Sequence, residues 1–250
     1  MFSVCIASRG PALGLWATIH ACQAILPDWL KCEFIVCLNG QPITETHELL
    51  MEHCQVRLAQ LKDPVPPPIA RDFCVSEATG DILVFLDDHV LPTRLFFNQI
   101  QESFRKVKSL GALHSSYQPY AGYNRYYHFL PDPQLPTKGD YAKEPLSKAM
   151  YKCLSGPHGG FAVRKTAYDK VGGYGNWFQG FGGEEAYFDM KLRLAGWEVM
   201  LDPNLLFYHF SCRPETRGYD KSLNEWNYEE GMRRLGDVSS ILKGELWKAR

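Results

Sequence analysis

The chain has 250 residues, 45% of them hydrophobic and 22% charged, values that argue against disorder and fit one large domain, or one domain with a modest appendage. Lys plus Arg (27) and Asp plus Glu (28) nearly cancel to a formal net charge of -1, so no global basic field points to nucleic acid or an anionic membrane surface. The eight cysteines contain no CxxC pair and fall mostly in apolar segments, which reads as buried free thiols in a reducing compartment. No apolar run approaches the ~20 residues of a membrane span, and the first strand begins almost at Met1, so a soluble, cytoplasmic protein is expected.

Phe2 to Ala7 is a continuous apolar run ended by Ser8-Arg9-Gly10-Pro11, a strand feeding a loop. A helical pattern follows from about Leu13 to Ile25, then a second buried strand from Glu33 to Leu38, ended by Asn39-Gly40. Thr44 to Gln55 reads as a helix, Val56 to Leu61 as a short strand, Ile69 to Ala78 as a helix and Ile82 to Leu86 as a strand. Strands alternating with helices indicate a parallel sheet with right-handed crossovers, hence a doubly wound α/β core. After a helix at about Arg94 to Lys108 the texture changes. Tyr117 to Tyr151 is rich in Tyr, Pro and short polar pieces and reads as an irregular insertion lining a cleft, with a surface excursion as the alternative. Asp189 to Leu194 reads as helix, Leu206 to Phe210 as a last strand, and the stretch to Leu235 as a helix packed on the core. The expected division is 1–218 for the main domain, with halves at 1–110 and 111–218, and 219–250 for the tail.

Three constellations carry chemistry. Asp87-Asp88-His89 follows the Ile82–Leu86 strand, at the carboxyl edge of a parallel sheet where ligands bind. Two carboxylates and an imidazole suit Mn²⁺ or Mg²⁺, which would hold nucleotide phosphates; the alternative is a solvated turn capping the next helix. Gly182-Gly183-Glu184-Glu185 opens a helix, with glycines permitting close backbone approach and a carboxylate able to serve as base, or else with acidic residues that simply answer the helix dipole. Trp177, Phe178 and Phe181 beside it are the aromatic company that sugar recognition uses. His209, with Arg213 close behind, is either a structural strand-end histidine or a further metal ligand beside a diphosphate-binding Arg.

These residues match a family pattern. Ile69 to Val90 (IARDFCVSEATGDILVFLDDHV) resembles the stretch containing the metal motif of GT-A glycosyltransferases, in the Asp-x-His form of polypeptide GalNAc-transferases. Gly159 to Asp169, Val171 to Tyr174 and Phe181 to Leu194 resemble the GG(L)FAI, IGxYD and WGGEN segments of that group, and the last also resembles the WGGED segment of β-1,4-galactosyltransferases. In size and simplicity the chain is similar to the small, soluble family 2-like enzymes.

The resemblance implies a GT-A fold, a central mostly parallel sheet flanked by helices, with an acceptor-side insertion and a C-terminal helical tail. It implies Asp87, His89 and His209 as ligands of Mn²⁺ or Mg²⁺, with Asp88 near the ribose. Ala7, Ser8, Arg9, Asn39, Arg71 and Arg213 would lie at the nucleotide, and Gly159 and Gly160 would line the donor pocket. Trp177, Phe181, Gly183 and Glu184 would meet donor sugar and acceptor, and Glu185 would be the base. Where retaining GalNAc-transferases carry Asn and inverting galactosyltransferases carry Asp, this chain has Glu185, so inversion is expected. The pattern is broken at three places: the second strand ends Leu38-Asn39-Gly40 instead of in an Asp pair, Arg213 falls four residues after the His instead of three, and Phe181 replaces Trp. The expected activity is transfer of a sugar, UDP-linked, to an acceptor hydroxyl on a glycan, a protein or a modified nucleic acid base. The alternatives are a metal-dependent nucleotidyltransferase and a non-catalytic carbohydrate-binding protein of the same fold.

Overall fold

The computed structural model describes residues 1–119, 151–152, 159–209 and 221–236. Strand β1 (Phe2–Ser8) is buried along almost its whole length and sits between β2 (Cys32–Asn39) and β4 (Ile82–Leu86), parallel to both. β3 (Val56–Leu61) extends the parallel set at the edge beyond β2. These apolar runs have no polar face because helices cover both sides of the sheet.

Alternation assigns the two faces. Phe2, Val4 and Ile6 of β1, with Phe34, Val36 and Leu38 of β2, pack under α1 (Ala12–Ile25), α2 (Glu45–Cys54) and α4 (Phe96–Lys106). Cys5, Ile35, Cys37, Leu83 and Phe85 point the other way, toward α3 (Pro67–Ser76), α5 (Lys165–Val171) and α6 (Glu184–Leu194). α3 begins two residues before the expected Ile69 because Pro67 and Pro68 occupy its first turn, where a missing N–H costs nothing.

Beyond β4 the sheet becomes mixed. Its order is β3-β2-β1-β4-β8-β6-β9-β5, with β5 (Val90–Pro92), β6 (Leu110–Pro119), β8 (Gly160–Arg164) and β9 (Glu198–His209), and β7 (Tyr151–Lys152) paired to β9. β8 runs antiparallel to β4, opposing Gly160 to Leu86. β9 runs parallel to β6 but begins eight residues earlier than the expected Leu206, since the Asp202-Pro203-Asn204 interruption is absorbed as a register shift. A final helix, α7 (Lys221–Leu235), packs against α6. Most of the Tyr117 to Tyr151 insertion, Arg213, Cys153, Cys212 and the tail beyond 236 lie outside the described residues. Cys5, Cys22, Cys32, Cys37, Cys54 and Cys74 are free thiols, all buried except the half-buried Cys32. Among the described residues no helix is long and apolar enough to cross a membrane.

Candidate active site

The carboxyl ends of β1 and β4 and the end of β9 converge. Asp87 and His89 follow β4 directly, and His209 closes β9, which β5 holds in register through Val90 and His209. One ligand atom from each of Asp87, His89 and His209 lies within 4.8 Å of the others. The two imidazoles meet edge to face at 4.6 Å, and His209 Nε2 is 3.6 Å from Asp87 Oδ2. The glycines at 159 and 160 account for this convergence. A Cβ on Gly159 would sit 2.5 Å from the Phe207 ring and 3.0 Å from His209, so only glycine lets β9 cross there. The Gly159 carbonyl also accepts the Asp87 N–H at 3.1 Å.

Asp88 is buried, and its carboxylate is a hub. It accepts hydrogen bonds from Ser8 Oγ (2.7 Å), the Arg9 N–H (3.2 Å) and the Gly10 N–H (2.8 Å), fixing the β1–α1 loop. Its other oxygen is 2.7 Å from His89 Nδ1. Such a contact is the carboxylate–histidine arrangement that orients ligands in metal sites, and with it Nε2 of His89 would be the nitrogen to ligate an ion. One carboxylate with two imidazoles therefore fits a divalent ion of the Mn²⁺ or Mg²⁺ kind. Burial alone would raise the Asp87 carboxyl pKa. The hydrogen bond from His209 and the charges of His89, Arg71 and His209 outweigh it and hold Asp87 well below the usual carboxylate range.

Arg71, on the buried face of α3, joins this cluster to the glycine-rich loop. Its guanidinium lies 3.5 Å from Asp87 and 3.7 Å from Glu184. Glu184 is fully buried, and its second oxygen accepts the Gly182 N–H at 2.8 Å. One oxygen of Glu184 thus holds the loop, while Oε1, buried beside Arg71, makes no hydrogen bond. Half-buried Glu185, next in the first turn of α6, has its pKa pushed well up by burial and by the Glu184 carboxylate, against the opposing charge of Arg71. A carboxylate with raised pKa is a candidate general base.

The other expected residues fall as follows. Ser8 is buried, Ala7 is half-buried and Arg9 is exposed, all at the end of β1. Asn39 is engaged by the protein itself. Its Nδ2 donates to the Val65 carbonyl and its Oδ1 accepts the Val65 N–H, both at 2.8 Å, which pins the proline-rich β3–α3 loop. Beside it a cavity of about 370 Å³ is lined by Gly40, Gln41, Pro42, Gln60 and Lys62, and Gln41 donates to the Gly10 carbonyl. Trp177 is packed, stacked on Phe178 at 3.9 Å with the Arg234 guanidinium 4.9 Å from its ring centroid. Phe181 keeps an exposed face.

Two residues of the site carry no motif in the sequence. Asp72, beside Arg71, accepts from the Tyr168 hydroxyl and from the Tyr174 and Gly175 N–H groups, anchoring the Gly172–Gly175 turn. Asn227 of α7 bonds the backbone at Gln179 and Gly182. Its one signal is the spacing Leu223, Asn227, Gly231, which places an amide on the inward stripe of a helix.

Residues 3–172 match the model of glycosyl transferase family 2. The chain belongs to this family. No curated protein matches it. Among solved structures it is similar to GalNAc-T7 with UDP, GalNAc and Mn²⁺ (TM-score 0.74, 16% identity, 97% of this chain and 53% of that one). It is also similar to the mannosyltransferase PcManGT from Pyrobaculum calidifontis in complex with GDP-Man and Mn²⁺ (0.61, 16%, 87% and 58%). A third is S. aureus TarS 1–349 in complex with UDP-GlcNAc (0.63, 14%, 94% and 65%). These likenesses establish the GT-A fold, and the chain spans between about half and two thirds of each of those structures. Within the family fold, the Asp-x-His strand end and the GGEE helix start occupy one connected site.

Proposed function

We propose that this family 2 chain is a divalent-metal-dependent glycosyltransferase that moves a sugar from a UDP-linked donor to an acceptor hydroxyl with inversion. The observation that carries the reading is the unbroken chain of polar contacts from His209 through Asp87 and Arg71 to Glu184, next to Glu185. A nucleotide-binding cluster and a candidate base are thereby fixed relative to one another. The donor and ion bound in GalNAc-T7 and TarS, UDP with Mn²⁺ and UDP-GlcNAc, support the choice of donor class, while GDP-Man in PcManGT makes the guanine donor the first competitor.

Asp87, His89 and His209 would hold the ion, whose charge supplies stabilisation to a departing diphosphate. Asp88 orients His89 and the β1–α1 loop on which Arg9 stands. Arg71 holds Asp87 and Glu184 apart at a set spacing. Glu185 takes the acceptor hydroxyl proton as the acceptor oxygen bonds to the anomeric carbon and the bond from that carbon to the diphosphate oxygen breaks, its electron pair leaving with the diphosphate. Phe181 offers the acceptor or donor sugar an apolar face. Arg213 is proposed as a diphosphate contact.

The test is turnover of a nucleotide-sugar panel with Mn²⁺. Hydrolysis or transfer from a UDP-sugar is expected. Turnover of nucleoside triphosphates in its place would make the chain a nucleotidyltransferase, and binding without turnover of any donor would make it a carbohydrate-binding protein. Mass spectrometry of products from a mixed acceptor library identifies the acceptor.

A further inference from the structure

The loop before α6 has little regular structure of its own. Gly180, Gly182 and Gly183 all have positive φ (64, 110 and 78°), a backbone that forms no ladder and is costly to order. α7 supplies what the loop lacks. Along its inward stripe Leu223 lies against Gly180, Asn227 against Gly183, and Gly231 against Tyr187. Asn227 is 1% exposed and uses both ends of its carboxamide: Oδ1 accepts the Gln179 N–H at 3.0 Å, and Nδ2 donates to the Gln179 and Gly182 carbonyls at 2.8 and 2.9 Å. The Gly182 peptide is therefore held on both sides, its carbonyl by Asn227 and its N–H by Glu184.

We propose that Asn227 is a positioning residue for the transfer reaction: its carboxamide fixes the Gln179–Gly183 loop, and through it the start of α6 that carries Glu184 and Glu185. This rests on the reading of Glu185 as the base. The C-terminal helix is then part of the transfer apparatus. A structural clamp elsewhere would affect the whole fold, whereas this one acts on one loop. Asp87, His89, His209 and Asp88 take their positions from β4, β9 and the β1 loop, whereas the three hydrogen bonds of the Asn227 side chain go to Gln179 and Gly182.

Two variants test the assignment. Asn227→Leu removes all three hydrogen bonds at similar volume. Asn227→Asp keeps the acceptor for Gln179 N–H but sets a carboxylate oxygen against two carbonyls. Each is expected to speed amide exchange in residues 178–187 by ~10-fold or more and to lower kcat by ~10-fold or more, with Mn²⁺-dependent UDP binding held within ~3-fold by calorimetry. Gly183→Ala, whose methyl must press on the Tyr228 amide nitrogen 3.1 Å away, reaches the same contact from the loop side should the Asn227 variants fail to fold, and the same split is expected. Glu229→Ala, exposed on α7, is expected to change none of these. Unaltered exchange and kcat, or UDP affinity falling in step with kcat, overturns the proposal. If the wild-type chain turns over no nucleotide sugar, the glycosyltransferase reading fails by itself, while the exchange data still decide whether Asn227 holds the loop.

Discussion

The two halves of the site are built by opposite means. The strand-end half, with the candidate metal ligands, stands on parallel strand ends: Asp87 and His89 follow β4, Ser8 and Arg9 end β1, and Asp88 joins the two ends by accepting hydrogen bonds from the Ser8 hydroxyl and the Arg9 and Gly10 N–H groups. The carboxylate half stands on a loop of glycines held by Glu184 and by a side chain on α7, more than 40 residues downstream. A sheet edge is determined by ladder pairing and core burial, so it tolerates change at a distance. A glycine loop is determined by the few contacts that reach it. Nucleotide capture and sugar transfer are therefore expected to be separable by mutation.

The sharpest break is at Asp87. Asp87→Ala removes the carboxylate that both imidazoles and Arg71 face, and Mn²⁺-dependent UDP binding is expected to weaken by ~100-fold or more. Calorimetry with and without EDTA checks this, and UDP binding indifferent to EDTA would remove the metal from the scheme. Next in size is Glu185→Gln, which leaves the strand ends alone. Turnover is expected to fall ~10²-fold with UDP affinity intact; near-normal turnover would sink Glu185 as base.

The same division explains what could be read from the sequence. The strand-end half was legible as a location because it follows an apolar run of fixed period: Ile82 to Leu86 announces a buried strand, and the ends of such strands are where ligands bind. Core helices α1, α2 and α3 were legible for the same reason, within two residues at either end. β6 and β8 escaped because β6 runs into the aromatic insertion and β8 opens with Gly160, whose glycine reads as loop. The carboxylate half was legible only as a motif. Nothing local distinguishes a Glu that faces solvent in a first helical turn from Glu184, buried against Arg71 more than 100 residues away. Likewise the amide of Asn39 stands where a nucleotide contact belongs, and only the tertiary approach of Val65 shows it already engaged.

A third expectation concerns pH and comes chiefly from the carboxylate half. A base must be ionised, so kcat/KM rises with pH through the pKa of Glu185, which burial and the Glu184 charge place above the ~4.3 of an unperturbed glutamate. Glu184→Gln removes one of the three raising influences, burial and the Asp87 charge being the others, and the competitor for Arg71, so the acid limb is expected to move to lower pH. A limb that stays in place, or moves up, would detach Glu185 from the profile. Asp87→Asn is not an equivalent control, since it alters metal affinity as well.

The smallest effect sharpens the comparison at its nucleotide end. If Asn39 clamps the β3–α3 loop, Asn39→Ala costs two buried hydrogen bonds, about 1–3 kcal/mol of stability, and shifts binding of UDP and GDP alike through the displaced loop. If it reads the base, the loss falls on one nucleotide and stability hardly moves. Both Asn39 amide atoms are engaged by Val65 at 2.8 Å, which still leaves Nδ2 one further proton and Oδ1 one further lone pair, so the two cases differ by measurement and not by hydrogen-bonding capacity. Thermal unfolding alongside calorimetry with the two nucleotides separates the cases. A unilateral loss of UDP binding would place Asn39 at the base.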